Sequence, residues 1–103
     1  MIDLSDVQAA RDRIQPYVRR TPLMQARPLK ARPFTTEYLS LKLELLQVTG
    51  SFKARGAINK LLSLDEAAMN RGIVTASGGN HGMAVAYAGW LAKKPAIVYL
   101  PTS

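Results

Sequence analysis

The feature that most constrains this fold is the alternation of strand-like and helix-like segments along the second half of the chain. Ile73 to Ala76 is a short, strand-like run. Gly72 precedes it, and the small-residue turn Ser77-Gly78-Gly79-Asn80-His81-Gly82 follows. Met83 to Lys93 then reads as a helix that is apolar nearly all round, through Met83, Val85, Ala86, Tyr87, Ala88, Trp90 and Leu91. Such a helix packs on more than one side. Pro95 ends it, and Ala96 to Leu100 reads as a second strand. A strand, a helix and a strand in this order predict a parallel pair joined by a right-handed crossover.

The first half adds elements of the same kinds. Val7, Ala10, Ile14 and Val18 recur at helical spacing, which predicts a helix over 5–18 with Ser5 or Asp6 as its cap. Thr21-Pro22 closes that element. Pro28 and Pro33 keep the next stretch irregular, with neither strand nor helix expected. Leu39, Leu41, Leu43 and Leu45 alternate with Ser40, Lys42 and Glu44, the pattern of a half-buried strand over 38–45. Thr49-Gly50 gives a turn. Ser51 stands as N-cap for a helix over 52–62 with Ile58, Leu61 and Leu62 on its apolar stripe. Ser63-Leu64-Asp65-Glu66 has the form of a capping box opening a short helix that Gly72 stops. The order of helix, strand, helix, helix, strand, helix, strand places the chain in the α/β class, with a largely parallel sheet.

Composition excludes several chemistries. The 103 residues are 48% hydrophobic and 20% charged, a globular profile. With no cysteine there is neither a disulfide nor a thiolate metal site, and one histidine, His81, makes no His-based metal cluster. No run approaches the ~20 apolar residues that span a bilayer, so no membrane partner is expected. Met1 to Asp6 lacks a basic stretch and a long apolar run, so a secretory leader is not expected and a cytoplasmic location is. The net charge is +7, with Arg11, Arg13, Arg19, Arg20, Arg27, Lys30 and Arg32 near the front. These cations are spread over a helix and a proline-containing loop with little aromatic interleaving. A solvated face fits them better than a nucleic-acid surface, and no nucleic-acid partner is expected; a basic binding module stays as an alternative.

Two loops between a strand and a helix start can carry chemistry, because open α/β sheets bind ligands there. Lys53 sits in the first helical turn, whose positive end disfavours an ammonium. A lysine must lose its proton to attack a carbonyl, so Lys53 beside Phe52 suits a Schiff base. Taken by itself it also suits a solvated surface lysine. In the second loop, Gly78 and Gly79 let the backbone approach a ligand, and the following helix start offers N–H groups to a carboxylate or phosphate. Ser77 and Asn80 add polar side chains, and an ordinary loop capped by Asn80 stands beside that reading. No Walker loop and no G-x-G-x-x-G fingerprint occurs.

Together the loops resemble a known family. Leu41-Lys42-Leu43-Glu44 followed by Gln47-Val48-Thr49-Gly50-Ser51-Phe52-Lys53-Ala54-Arg55-Gly56-Ala57 resembles the cofactor-lysine motif of fold-type II pyridoxal-phosphate enzymes, in their threonine/serine dehydratase and serine racemase branch. Ser77 to Gly82 resembles that family's substrate-carboxylate loop, and Arg20-Thr21-Pro22-Leu23 its usual N-terminal segment. The resemblance implies a three-layer, parallel-sheet architecture of the tryptophan-synthase-β-like type, incomplete here. Residues 1–65 would open the large cofactor domain, and 66–103 would begin the small substrate-loop domain. It implies pyridoxal 5'-phosphate as cofactor and a small amino acid as substrate, with the full-length form a homo-oligomer. Lys53 would form the internal aldimine and then take the α-proton. Phe52 would pack on the cofactor, and Asn80 would bond its ring hydroxyl. Ser77, Gly78, Gly79, Asn80 and His81 would line the substrate pocket. His81 stands where cysteine synthases carry threonine. Gly78 stands where serine racemases carry a second serine as acid/base. Both departures favour β-elimination, yielding a 2-oxo acid and ammonia. The family's tetraglycine phosphate cup does not occur in these 103 residues. A non-catalytic remnant or complementing fragment is therefore the alternative to an active enzyme.

Overall fold

The computed structural model describes residues 1–27, 30, 31, 35 and 38–102. The first helix, α1, spans Leu4–Ile14. Asp3 caps it, in place of the Ser5 or Asp6 that the sequence predicts. The Asp3 carboxylate accepts from the N–H groups of Ser5 and Asp6, and the Asp6 carboxylate accepts from the Asp3 N–H. A carboxylate answers two orphan donors and the helix dipole at once, which a serine hydroxyl does not. The helix ends short of Val18 because Pro16 has no N–H to continue the ladder.

Strand β1 (Leu23–Gln25) pairs antiparallel with β2 (Ser40–Lys42), Leu23 facing Lys42. This corrects the sequence reading twice. A strand lies at 23–25 where none is expected, and the half-buried strand over 38–45 shrinks to three exposed residues. The ribbon is two strands wide and its residues are exposed, so the leucine alternation finds no core to face. Past Leu43 the chain tightens into a 3-10 turn over Glu44–Leu46, with Leu45 69% exposed. The irregular stretch expected around Pro28 and Pro33 lies outside the described residues, as does Arg32.

Helix α2 spans Lys53–Leu62. Phe52 occupies the N-cap position without a side-chain bond, and Ser51 Oγ reaches the Lys53 N–H at only 3.4 Å. Helix α3 (Glu66–Arg71) is capped by Asp65, which accepts from Ala68 N–H at 2.7 Å. The capping box expected from Ser63 does not form, because Ser63 ends α2 instead: its N–H and hydroxyl both turn back to the Lys60 carbonyl. Gly72 stops α3 at φ +82°, where a Cβ would stand 2.3 Å from the Pro95 carbonyl oxygen. Strands β3 (Ile73–Ala76) and β4 (Ala96–Tyr99) pair in parallel, Ile73 beside Ala96 and Ala76 beside Tyr99, as the sequence order predicts. Helix α4 (Asn80–Ala92) connects them.

The core lies between α2 and α4. Ala54, Ala57, Ile58 and Leu61 pack with Ala84, Val85 and Ala88, and Ile14 of α1 joins them. Alanines on both facing stripes let the helix axes approach. Ile58 and Leu61, at 0% and 1% exposure, each stabilise this contact by about 1.5–3 kcal/mol. The opposite side of α4 rests on β3 and β4, with Ile73 and Val98 against the core. Met83 and Trp90 are exposed, so α4 is covered on two sides and open on a third. Among the described residues no helix is long and apolar enough to cross a membrane.

Candidate active site

Lys53 is the first residue of α2, and the loop leading to it is unusual. Thr49 and Gly50 both lie in the left-handed region, at φ 62° and 73°. Glycine adopts that conformation freely; a β-branched threonine does so at a cost. The Thr49 hydroxyl is buried and finds no partner among the described residues. These two residues reverse the chain and deliver Phe52 and Lys53 to the surface. The Phe52 ring is 59% exposed and lies 4.9 Å from Lys53 Nζ, within cation–π range.

A groove of about 510 Å³ runs between α2, β3 and α4. Phe52, Lys53, Gly56, Lys60, His81 and Val85 are among its lining residues. Lys53 and His81, distant in sequence, therefore meet in one groove. Ser77 and Gly78 line a separate cleft of about 310 Å³ with Tyr99 and Pro101. Gly79 and Asn80 line neither cavity. Gly79 holds the N-cap position of α4, and Asn80 is the first helical residue. The turn is thus shorter than the sequence suggests, and Asn80 does not cap. The cause is Gly82: a Cβ there would stand 2.3 Å from the Ser77 carbonyl oxygen and 3.0 Å from Val98 Cγ1. Without one, the helix begins directly beneath the loop. Among the described residues no side chain caps α4, which leaves its first-turn N–H groups for another acceptor, such as an anion. Among the described residues, the space beside Gly56 and Gly79 is open, with no atom from elsewhere in the fold within 4 Å of where a Cβ would lie.

Behind Lys53 stands a polar clamp. Arg55 Nε and Nη2 donate to the two carboxylate oxygens of Glu44, both at 2.8 Å, and Nη2 also donates to the Arg19 carbonyl at 3.3 Å. The Thr21 hydroxyl donates to Glu44 Oε1. The guanidinium bonds hold the Glu44 carboxyl down at about 2, against the opposing effect of burial. Gln47, 2% exposed, grips the Arg19 backbone at both ends: its Oε1 accepts from the N–H and its Nε2 donates to the carbonyl, each at 2.8 Å. Sequence reasoning assigns Glu44, Arg55 and Gln47 no role. The signal is present as opposite charges flanking the turn before Lys53.

A larger cavity than the Lys53 groove, about 730 Å³, lies elsewhere among the described residues, between α1 and this clamp. Its lysine, Lys42, is bonded to the Thr21 carbonyl at 2.5 Å, and Arg55 is held by Glu44. Size alone does not make it the reactive site; its lysine is engaged, whereas the other groove carries the exposed Lys53 and Lys60. Among the described residues no cluster of His, Asp and Glu could hold a metal.

Known proteins resemble this chain in sequence and in overall fold. A family model described as pyridoxal-phosphate dependent enzyme matches residues 14–103. The chain is 40% identical over 101 residues to the catabolic L-threonine dehydratase TdcB of Staphylococcus aureus, covering 98% of this chain and 29% of that protein. It is 42% identical over 87 residues to the serine racemase of Dictyostelium discoideum, covering 84% of this chain and 26% of that one. Among solved structures, the threonine deaminase of T.th. superposes with a TM-score of 0.81 at 44% identity, covering 97% of this chain and 31% of that chain. The chain therefore spans between about a quarter and a third of the length of these relatives. Match, fold and sequence together show that this chain belongs to the pyridoxal-phosphate dependent enzyme family and is a partial α/β domain of its fold-type II architecture.

Proposed function

We propose that this chain carries the lysine and the substrate loop of an enzyme that eliminates the β-hydroxyl of threonine, serine or a related amino acid, giving a 2-oxo acid and ammonia. The observation that supports it most is the shared groove of Lys53, Phe52 and His81. The residues present fit the cofactor in part. An exposed amine suits its aldehyde, and the groove wall formed by Phe52, Gly56, Ala57 and Val85 suits an aromatic ring. No glycine-rich phosphate cup occurs in these 103 residues. When bound, pyridoxal phosphate supplies an electron sink for the carbanion formed at the substrate α-carbon.

The chain's own groups do the rest. Lys53 would hold the cofactor through Nζ, and the same Nζ would serve as the base for the substrate α-proton. Ser77, Gly78, Gly79 and His81 would receive the substrate carboxylate in the larger fold; in this chain His81 lines the Lys53 groove and Ser77 and Gly78 line the neighbouring cleft. Asn80, the first residue of α4, would bond the cofactor ring hydroxyl. Gly78 has no side chain to return a proton from the opposite face, which favours elimination over inversion. Racemisation is the second reading, favoured by the likeness to the Dictyostelium discoideum protein named serine racemase.

Incubating the purified chain with pyridoxal phosphate and L-threonine or L-serine separates the readings. A 2-oxo acid and ammonia are expected, and Lys53→Ala removes both. Accumulation of the D-amino acid instead would support the second reading. Neither product, with cofactor demonstrably bound, overturns catalysis by this chain.

A further inference from the structure

We infer that Arg55, held by Glu44, is the positioning residue that sets where Lys53 stands in the groove. The inference rests on the proposed role of Lys53. Lys53 and Arg55 are two residues apart at the start of α2. At about 100° per residue they point to nearly opposite sides of the same turn. Lys53 lines the α2–α4 groove, while Arg55 reaches back toward the 3-10 turn over Glu44–Leu46 and the segment around Thr21.

This first turn lacks the usual anchors. Phe52 contributes no capping bond, and the Ser51 contact at 3.4 Å is at the outer limit of a hydrogen bond. The Arg55–Glu44 fork replaces them. Two parallel bonds to one planar carboxylate resist rotation about the helix axis, which a single contact does not. Glu44 is itself fixed by the Thr21 hydroxyl, and Arg19 by Gln47, so the fork is attached to a cross-braced base. Turning the first turn about its axis would swing Lys53 Nζ by the same angle. Lysine at position 55 would keep the charge and lose the fork.

The test uses the 103-residue chain and pyridoxal phosphate. Borohydride reduction fixes the cofactor on whichever lysines it has joined, and peptide mapping gives the ratio of label at Lys53 to label at Lys93. Lys93 is exposed at the C-cap of α4, away from both the groove and the clamp, so it reports general reactivity. In the wild type Lys53 dominates. Glu44→Gln and Arg55→Lys are expected to lower the ratio several-fold while circular dichroism stays helical; Arg55→Lys serves where Glu44→Gln does not fold. Ile58→Val trims the buried side of α2 by one methyl group without touching the clamp, and is expected to leave the ratio unchanged. An unchanged ratio in folded Glu44→Gln or Arg55→Lys overturns the inference. So does an equal drop in Ile58→Val, which would show a merely structural effect. A wild type with no preference for Lys53 overturns the underlying reading instead.

Discussion

The Glu44 carboxylate shows how one side chain serves both fold and site. Its two oxygens accept from Arg55, and one also accepts from Thr21. Those bonds lower its carboxyl from 4.5 to about 2. In the unfolded chain the group binds a proton more readily than in the folded one. The pair therefore contributes stability in full above pH 4.5, and that contribution is lost as the pH falls through about 2. Both side chains are partly exposed, so its size at neutral pH is on the order of 1 kcal/mol. Thermal melts of wild type and Glu44→Gln should differ by that amount at pH 7 and converge between pH 4.5 and 2. A gap that persists at the acid end would place the stability in packing and not in charge. At this scale the sequence is half legible. Lys53 and His81 can be read from their motifs, whereas the clamp depends on side chains that only the reversal at Thr49-Gly50 brings together.

Elements with a buried face are the legible ones. Strands β3 and β4 and helix α2 lie within one residue of where periodicity puts them, because each has a core to face. The misreadings cluster where local competition decides. Ser63 and Asp65 both offer a cap to α3, and the nearby end of α2 takes Ser63. The leucine alternation over 38–45 has the right period for a strand but no covering layer, so three exposed residues pair and the rest turn. Among the elements, the α2–α4 contact dominates the stability. Ile58→Ala should cost about 2–5 kcal/mol, read as a lowered urea midpoint, because Ile58 is fully buried between alanine-rich faces that cannot close over the gap. A loss near that expected of an exposed site would mean that the helices slide to fill it.

As a whole, the molecule is part of a larger architecture, and its surface shows it. Val74, Ile97 and Tyr99 are exposed on a two-stranded parallel sheet, an arrangement that elsewhere is covered on both faces. The fold class is legible because alternation of elements is a long-range pattern that local competition does not disturb. The groove is not, since periodicity does not say how two helices set their loops side by side. The division at residues 65 and 66 into a cofactor part and a substrate-loop part is proposed for the larger fold. Within the described residues α2 and α4 share one core across that point. Everything proposed for the site depends on Lys53 holding pyridoxal phosphate. Titrating the purified chain with the cofactor and following its visible absorption tests this most directly. The expected result is a saturable band at one equivalent per chain that Lys53→Ala abolishes. A band of equal strength in Lys53→Ala, or none in the wild type, would contradict it.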